Sequence, residues 1–544
     1  MRRFIPSTLL RASLHLSRVA FIILLSACQP ATETPAATAT ATSTSTITPG
    51  PSPTATLTPT STPQPTASPR TLGPTNDKFP AGINPLSGLP VADPSLLDIP
   101  ALLISISHFP ATARPQAGLS FAPFVYEISI TEGATRHLAV FYGKFPEPEI
   151  PLTGDCDIRT EPVTRNGLLL GNRVWLDGNA DGRVDDWEAG VGGVCVNLRG
   201  ESANAILQQT TTDSNGYYAF NVTPGKYVVE FVKPAEWKLT AQDAGDESAD
   251  SDADASTGLT RPVVVNEADI LHVDAGLVAP NYPASGTLPL AQVGPVRSGR
   301  LVYADLAASY ANSCLIYAFA SEEVLEQLPQ CAFVTHGIQG GGYMLEMNRM
   351  QAIAADHARK HADKTFNYAS NLFSGIPPTG GAPALRMTEY WAYLNQSGWL
   401  YDAASRSYWR TVDDSTEANA GIQRLEVDRL NGRQLQFENV IVVFAEVDVV
   451  SPTNLDIHLE QGSGGPALIF RDGMKYNIRW STRSTASEQH SGQREPMQFL
   501  NADGSPFPLK PGRTWVIVLS PFSLVNESAP GGWVIRYARV NGEQ

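Results

Sequence analysis

Between Pro30 and about Pro74 the chain is nearly all Thr, Pro, Ser and Ala ("TPAATATATSTSTITPGPSPTATLTPTSTPQPTASP"). A stretch with so little apolar bulk cannot offset the entropy of ordering, and proline keeps it extended. At ~3.1 Å per residue, about 45 residues reach on the order of 140 Å. It reads as a stalk, and the fold has to be built from the residues C-terminal to it. About 470 residues remain, enough for two or three domains with real cores.

The residues ahead of the stalk set the compartment. Arg2, Arg3, Arg11 and Arg18 make a basic start, and "VAFIILLSA" (Val19 to Ala27) is an apolar run that ends in "LSAC". The run is well under the ~20 residues a membrane span needs. These residues resemble the lipobox of bacterial lipoproteins, whose signal is cleaved before a cysteine that is then lipidated. The resemblance implies a signal peptide over 1–27, lipidation of Cys28, and attachment to the membrane through a lipid anchor. Gln29 stands where inner-membrane retention would favour aspartate, which implies an outer, exposed face.

The net charge of −15 and the lack of a basic patch interleaved with aromatics argue against nucleic acid as a partner. Beyond Cys28 there are four cysteines: Cys156, Cys195, Cys314 and Cys331. An even number in an exported chain points to two disulfides, with three connectivities open. The simplest keeps each pair local, Cys156 with Cys195 and Cys314 with Cys331.

One motif carries explicit chemistry. "DGNADGRVDDWE" (Asp177 to Glu188) has the spacing of a calcium loop. Asp177, Asn179 and Asp181 stand at positions one, three and five, Gly182 at the sharp turn, and Glu188 at twelve. In that pattern Arg183 offers its carbonyl, and Asp185 acts directly or through water. The flanks do not read as helices. "GVCVNL", "GKYVVEFVKP" and "RPVVVNEADILHVDAGL" are short β-rich runs between turn signals such as "DSNG", as in an antiparallel sandwich. Residues 152–280 hold 21 Asp and Glu against 9 Lys and Arg, so −12 of the whole −15. Such a density repels itself unless cations neutralise it. A second acidic run, "DAGDESADSDAD", offers Asp250, Asp252 and Asp254 to a further ion.

The order "GNRVWLDGNADGRVDDWEAGVGGVCVNL", "TTTDSNGYYAFNVTPGKYVVEF", acidic run and "VDAGL" resembles the B-type domain of serine–aspartate repeat surface proteins, a Cna-B-like β-sandwich. The resemblance implies a structural Ca2+ that stiffens the module.

The segments on either side of this insert belong together. "NPLSGLP", "ARPQAGLS", "VYEISITEGATRHLAVF" and "GPVRSGR", with "NVIVVFAEV", "GGPALIFRDGMKYNIRWS" and "DGSPFPLKPGRTWVIVL" further on, resemble the YerB-like lipoproteins, a bacterial family whose function is not established. That family usually shows a His-x-Gly-Gly-Ser-like stretch after the helix. Here "CLIYAFASEEVL" stands instead, so a role resting on those glycines does not carry over. The expected organisation is a signal peptide over 1–27, a stalk over 28–75 and a first part of the N-terminal domain over 76–151. The sandwich insert occupies 152–280, then come the second part of the N-terminal domain over 281–380 and the C-terminal domain over 381–544. The fold class is an α+β N-terminal domain interrupted by an all-β calcium-binding sandwich and followed by a mostly β domain, with helices over Arg297–Tyr310 and Met344–Lys364.

Charges in otherwise apolar segments must be paired or are costly. Arg114, Glu127, Glu132, Arg136, Arg297 and Arg300 read as one such cluster: an ion-pair network, a grip for an anionic ligand, or a carboxylate pair (Glu127, Glu132) for glycoside cleavage. "HARKH" puts His357 and His361 on one solvated helix face without the glutamate of a metalloprotease. His336 lies in a glycine turn, and Ser298 has no evident base. No catalytic residue is assigned. The chain reads as a surface-exposed module that binds or scaffolds at the cell envelope, its partner an envelope polymer or a surface protein. A hydrolase of wall or surface polysaccharide is one alternative, and an adhesin with the sandwich as its tip another.

Overall fold

The β-branched and aromatic strands Phe124–Thr131 and Ala134–Phe141 pair antiparallel, with Glu127 opposite His137 and Ile128 opposite Arg136. Leu102–Ser107 flanks the hairpin on one side, and Cys314–Tyr317 runs parallel beyond it. Gln292–Val296 joins the same edge through Val296 and Ile106. The chain thus leaves this sheet before the sandwich and returns to it afterwards. This is a computed structural model, and it describes residues 70–131, 133–146, 156–185, 188–279, 292–329, 331–333, 343–451 and 454–540. The expectations for Cys28, the signal peptide, Glu132 and His336 fall outside these residues, as does the stalk up to residue 69; its last residues are not stalk, since Thr71–Leu72 pair with Phe373–Ser374.

On its other side Phe124–Thr131 pairs in parallel with Thr514–Leu519, which pairs in parallel with Asn439–Phe444. Gly464–Arg471 and Met474–Ser481 extend the row. The result is one mixed sheet of 13 strands to which the expected N- and C-terminal domains both contribute. "TWVIVL" and "NVIVVF" are buried along almost their full length, and strands apolar on both faces sit at the centre of a covered sheet. A second sheet of seven strands, including Arg386–Ala392, Asn395–Asp402 and Ser407–Val412, packs on one face. There Met387, Trp399 and Tyr408 meet Val125, Val440 and Trp515. On the opposite face the helix Val302–Ser309 lays Val302, Tyr303 and Leu306 on Leu103, Tyr126 and Leu138.

The protein is mostly β with few helices, and Val302–Ser309, Glu322–Leu325 and Met347–Lys360 fall in the part expected to be α+β. The first expected helix begins only at Val302, because the backbone of Arg297 and Gly299 bonds across to Ser105, Ala318 and Phe319 instead. The second is the strand Tyr343–Glu346 followed by the helix Met347–Lys360.

The insert is a β-sandwich. Ile206–Thr211, Cys195–Gly200, Gly225–Val232 and Val263–Val265 form one sheet, facing two smaller three-stranded ones. Val229 and Phe231 point inward to Tyr218, Val174 and Leu277, while Glu230 turns out. Cys156 is bonded to Cys195, and Cys314 to Cys331.

Candidate functional site

In the sandwich the loop from Asp177 to Glu188 wraps its backbone N–H groups around its own carboxylates. Asp177 is 1% exposed and Glu188 4%. Asp177 accepts from the amides of Asp181 (3.2 Å) and Gly182 (2.9 Å) and from the Thr240 hydroxyl. Glu188 accepts from the amides of Gly178 (2.8 Å) and Asp185 (3.0 Å). Asn179 reaches Asp185 (2.9 Å) and Asp181 (3.2 Å) through its amide, and Asp181 accepts from the Arg183 amide. Gly182 is fixed by its surroundings: at φ +81° a Cβ would sit 2.9 Å from the Ala241 carbonyl and 2.8 Å from the Ala244 Cβ.

The second acidic run lies against this loop. Val184 donates to the Ala249 carbonyl at 2.8 Å, and Arg183 bridges antiparallel to Asp250. Asp250 is 3% exposed and accepts from the Gly245 amide. Asp252 accepts from the Asp274 amide at 2.7 Å, and Asp274 from the Arg173 amide at 2.7 Å. Burial pushes Asp252 up to about 7, with Glu247, Asp250 and Asp243 adding to it. Burial and Asp252 push Asp274 up to about 7 as well. Glu188 rises through burial, with Asp177 and Asp185 adding. These are carboxylates crowded against one another. Asp254 does something else. Its Oδ1 caps the turn at Ser256 and Thr257, which holds it at about 2. Asp274 gives no signal in the sequence, because it stands alone in a β-rich run. The donor set, all oxygen with several carboxylates, suits a hard cation such as Ca2+.

The expected single charged cluster divides in two, because neighbours on a strand face opposite ways. Glu127 points to the seven-stranded sheet. There Arg410, wholly buried, meets Glu127 at 2.9 Å, Glu426 at 2.8 Å and Glu389 at 3.6 Å. Its guanidinium lies 4.3 Å from the Trp515 ring centroid and 5.0 Å from that of Trp399. Glu127 also accepts from Trp515 (3.0 Å), and His137 stands 3.7 Å away. Burial would push Glu127 up, but Arg410 first and then His137 and Trp515 reverse that and hold it at about 2. Arg114 joins this side, 3.6 Å from Asp413 and 2.9 Å from the His108 ring. Arg136, Arg297 and Arg300 do not; they gather on the other face. Arg410 escapes the sequence reading, although a lone charge in the apolar strand "YWRTV" is a signal of a buried partner.

His357 is buried, not on a solvated face. Its Nε2 lies 2.6 Å from the Asn312 carbonyl and its Nδ1 3.2 Å from Cys331 Sγ. The His361 ring lies against it.

The sandwich is held to the body along a polar seam. Arg159 reaches Asp402 at 2.5 Å, lies 3.9 Å from Asp213 and stacks over Trp409 at 4.5 Å. The turn Asp213–Gly216 docks on the body through Asp213 to Gln436, Ser214 to the Gln434 carbonyl, and Asn215 to Glu438 and Arg513. Burial and the nearby Asp402 push Asp213 up to about 6 against the pull of Arg159.

Residues 168–277 match the SdrD B-like domain. Residues 86–151 match the N-terminal domain, and residues 387–516 the C-terminal domain, of a protein of unknown function (DUF3048). An SdrD B-like domain lies between two DUF3048 domains. The SdrD B-like domain is 43% identical over 108 residues to a fibrinogen-binding protein of Staphylococcus epidermidis, covering 20% of this chain and 9% of that protein. It is 39% identical over 115 residues to serine–aspartate repeat-containing protein D of Staphylococcus aureus (strain Newman), covering 21% of this chain and 8% of that protein. The chain thus spans less than a tenth of the length of either relative. Among solved structures, the YerB protein from Bacillus subtilis is similar at 15% identity with a TM-score of 0.41, over 80% of this chain and 96% of that one.

Proposed function

We propose that this protein is a binding or scaffolding module of the cell surface, held to the membrane by a lipidated Cys28 and carrying a calcium-stiffened sandwich on a rigid body. The supporting observation is the pair of buried carboxylates, Asp177 and Glu188, which accept from N–H and hydroxyl groups and have no salt-bridge cation among the described residues. A divalent cation would supply the missing charge, bringing together Asp177, Asn179, Asp181, Asp185, Glu188 and the Arg183 carbonyl. The ion contributes rigidity, since it would draw the carboxylates of the loop 177–188 onto one centre and lock the loop's path. The seam at Arg159 and Asp213 then passes that rigidity to the body, so the sandwich is presented at a fixed angle. The fibrinogen-binding relative makes a surface protein a candidate partner of the insert.

The test uses the mature chain without its lipid. Calcium is removed with chelator, and melting is followed before and after Ca2+ is restored. Restoration should raise the sandwich transition, and Asp181→Ala should remove that rise. Identical melts in chelator and in Ca2+ would sink the calcium reading. Retention on cell-envelope material, measured by pull-down, tests the binding role, and a protein that stays wholly in the supernatant would refute it.

A further inference from the structure

Three arginines converge on the face of the large sheet away from Glu127. Arg136 is placed by the register. It stands opposite Ser107 on the neighbouring strand, and its Nη1 donates to the Ser107 hydroxyl at 2.8 Å and to the Phe109 carbonyl at 3.2 Å. Two residues back on that strand, and so on the same face, the Ser105 hydroxyl donates to the Ser298 carbonyl at 2.9 Å and touches the Tyr303 hydroxyl. The Arg297 amide donates to the Ser105 carbonyl. The segment Arg297–Arg300 is therefore fastened beside Arg136. Arg300 reaches the Ser298 hydroxyl, and the helix Val302–Ser309 starts there with no side chain capping its first turn.

The electrostatics are one-sided. Arg136 is 4% exposed, and its Nε has no hydrogen-bond partner among the described residues. Burial pulls Arg136 down to about 9, and Arg300 and Arg297 add to that. Burial and Arg297 lower Arg300 too, against the opposite pull of Tyr303. No salt bridge joins Arg136 or Arg297 to a carboxylate among the described residues. The contrast with the opposite face is plain, since Arg410 there has three carboxylates and Arg114 has Asp413. A fold that supplies carboxylates to the buried guanidinium on one face, and hydroxyls and carbonyls to Arg136 on the other, keeps the second for a ligand's charge.

We infer that Arg136, Arg297, Arg300 and Ser298, at the start of the helix Val302–Ser309, form a binding site for a phosphate group. Forked guanidinium donors match the oxygens of a phosphate, and the positive end of the helix adds to their pull. Arg297 and Arg300 are half-buried, so the phosphate enters from solvent and meets Arg136 at the base. The group could be a free phosphomonoester or a phosphodiester of an envelope polymer. The inference stands apart from the calcium loop and does not depend on it.

Isothermal titration calorimetry of the whole mature chain with inorganic phosphate, at constant ionic strength, tests it. One saturable site per chain is expected. Arg297→Gln should weaken it about tenfold, the loss of one charge-assisted contact, while the exposed Arg386, changed to Gln, should leave it alone. Arg136→Met should raise the melting temperature in phosphate-free buffer and abolish the further rise that phosphate brings. If Arg136→Met does not fold, Arg297→Gln alone decides. A glycerol phosphodiester binding more tightly than inorganic phosphate would assign the polymer source, and the reverse order a free monoester. No saturable phosphate heat, or acetate binding as tightly as phosphate, would overturn the assignment.

Discussion

Replacing Arg410 by Met puts the buried charged core to its hardest test. The methionine keeps much of the packing between Trp399 and Trp515, but Glu127, Glu389 and Glu426 lose the cation they share. Breaking a buried pair by removing one partner costs about 3–5 kcal/mol, and three stranded carboxylates place this change at or above the top of that range. The sign with pH comes from the same groups. In the native protein Glu127 is held at about 2, below its ordinary 4.5. Its contribution is therefore present above 4.5 and lost as pH falls through about 2. Glu389 behaves oppositely, raised by burial in spite of Arg410. Without Arg410 both carboxyls rise, and protonation relieves the repulsion. The deficit should be largest near pH 7 and shrink as pH falls through the variant's raised carboxyl values towards about 2, the native value of Glu127. Urea unfolding of both proteins across that range, read from midpoint and slope, measures it. A deficit under about 1 kcal/mol, well short of a broken buried pair, or one that stays flat with pH, would refute the account of Arg410 as the shared counter-charge.

Other outcomes rest on the same geometry. Asp181→Ala should erase the calcium-dependent rise in melting of the sandwich while leaving the body transition in place, as calorimetry with and without chelator would report. Arg159→Ala should uncouple the sandwich from the body, splitting one melting transition into two, because Asp402 and Asp213 are left facing each other. Asp213, raised to about 6 from an ordinary 3.8, contributes stability below 3.8 that is lost as pH rises through about 6. The seam should therefore hold better at pH 5 than at pH 7, and Asp213→Asn should flatten that difference. Joint replacement of Cys314 and Cys331 by Ser opens a loop of sequence separation 17. It should cost about 3 kcal/mol by loop entropy, and a denaturant midpoint unchanged from the native protein would contradict that.

Whatever depends on local spacing is legible along the chain. The twelve residues from Asp177 to Glu188 state their turn, their oxygen donors and the glycine they need, since each is within reach of the next. The β-rich runs between turn signals predict the sandwich. The motif order on either side of the insert points to one interrupted body, because both halves of the interrupted sheet carry their own strands. Contacts between distant strands become visible only in the assembled fold. Glu127 and Arg136 look like members of one cluster along the chain, yet the strand's two-residue period sends them to opposite faces. The partner of Glu127 is Arg410, more than 280 positions away, and no spacing rule reaches that far. The same holds for the single 13-stranded sheet. "TWVIVL" and "NVIVVF" announce that they will be buried, but not that Phe124–Thr131 will be their neighbour. Burial is written in composition, whereas the choice of partner is settled by which faces remain uncovered once every other strand has found its place.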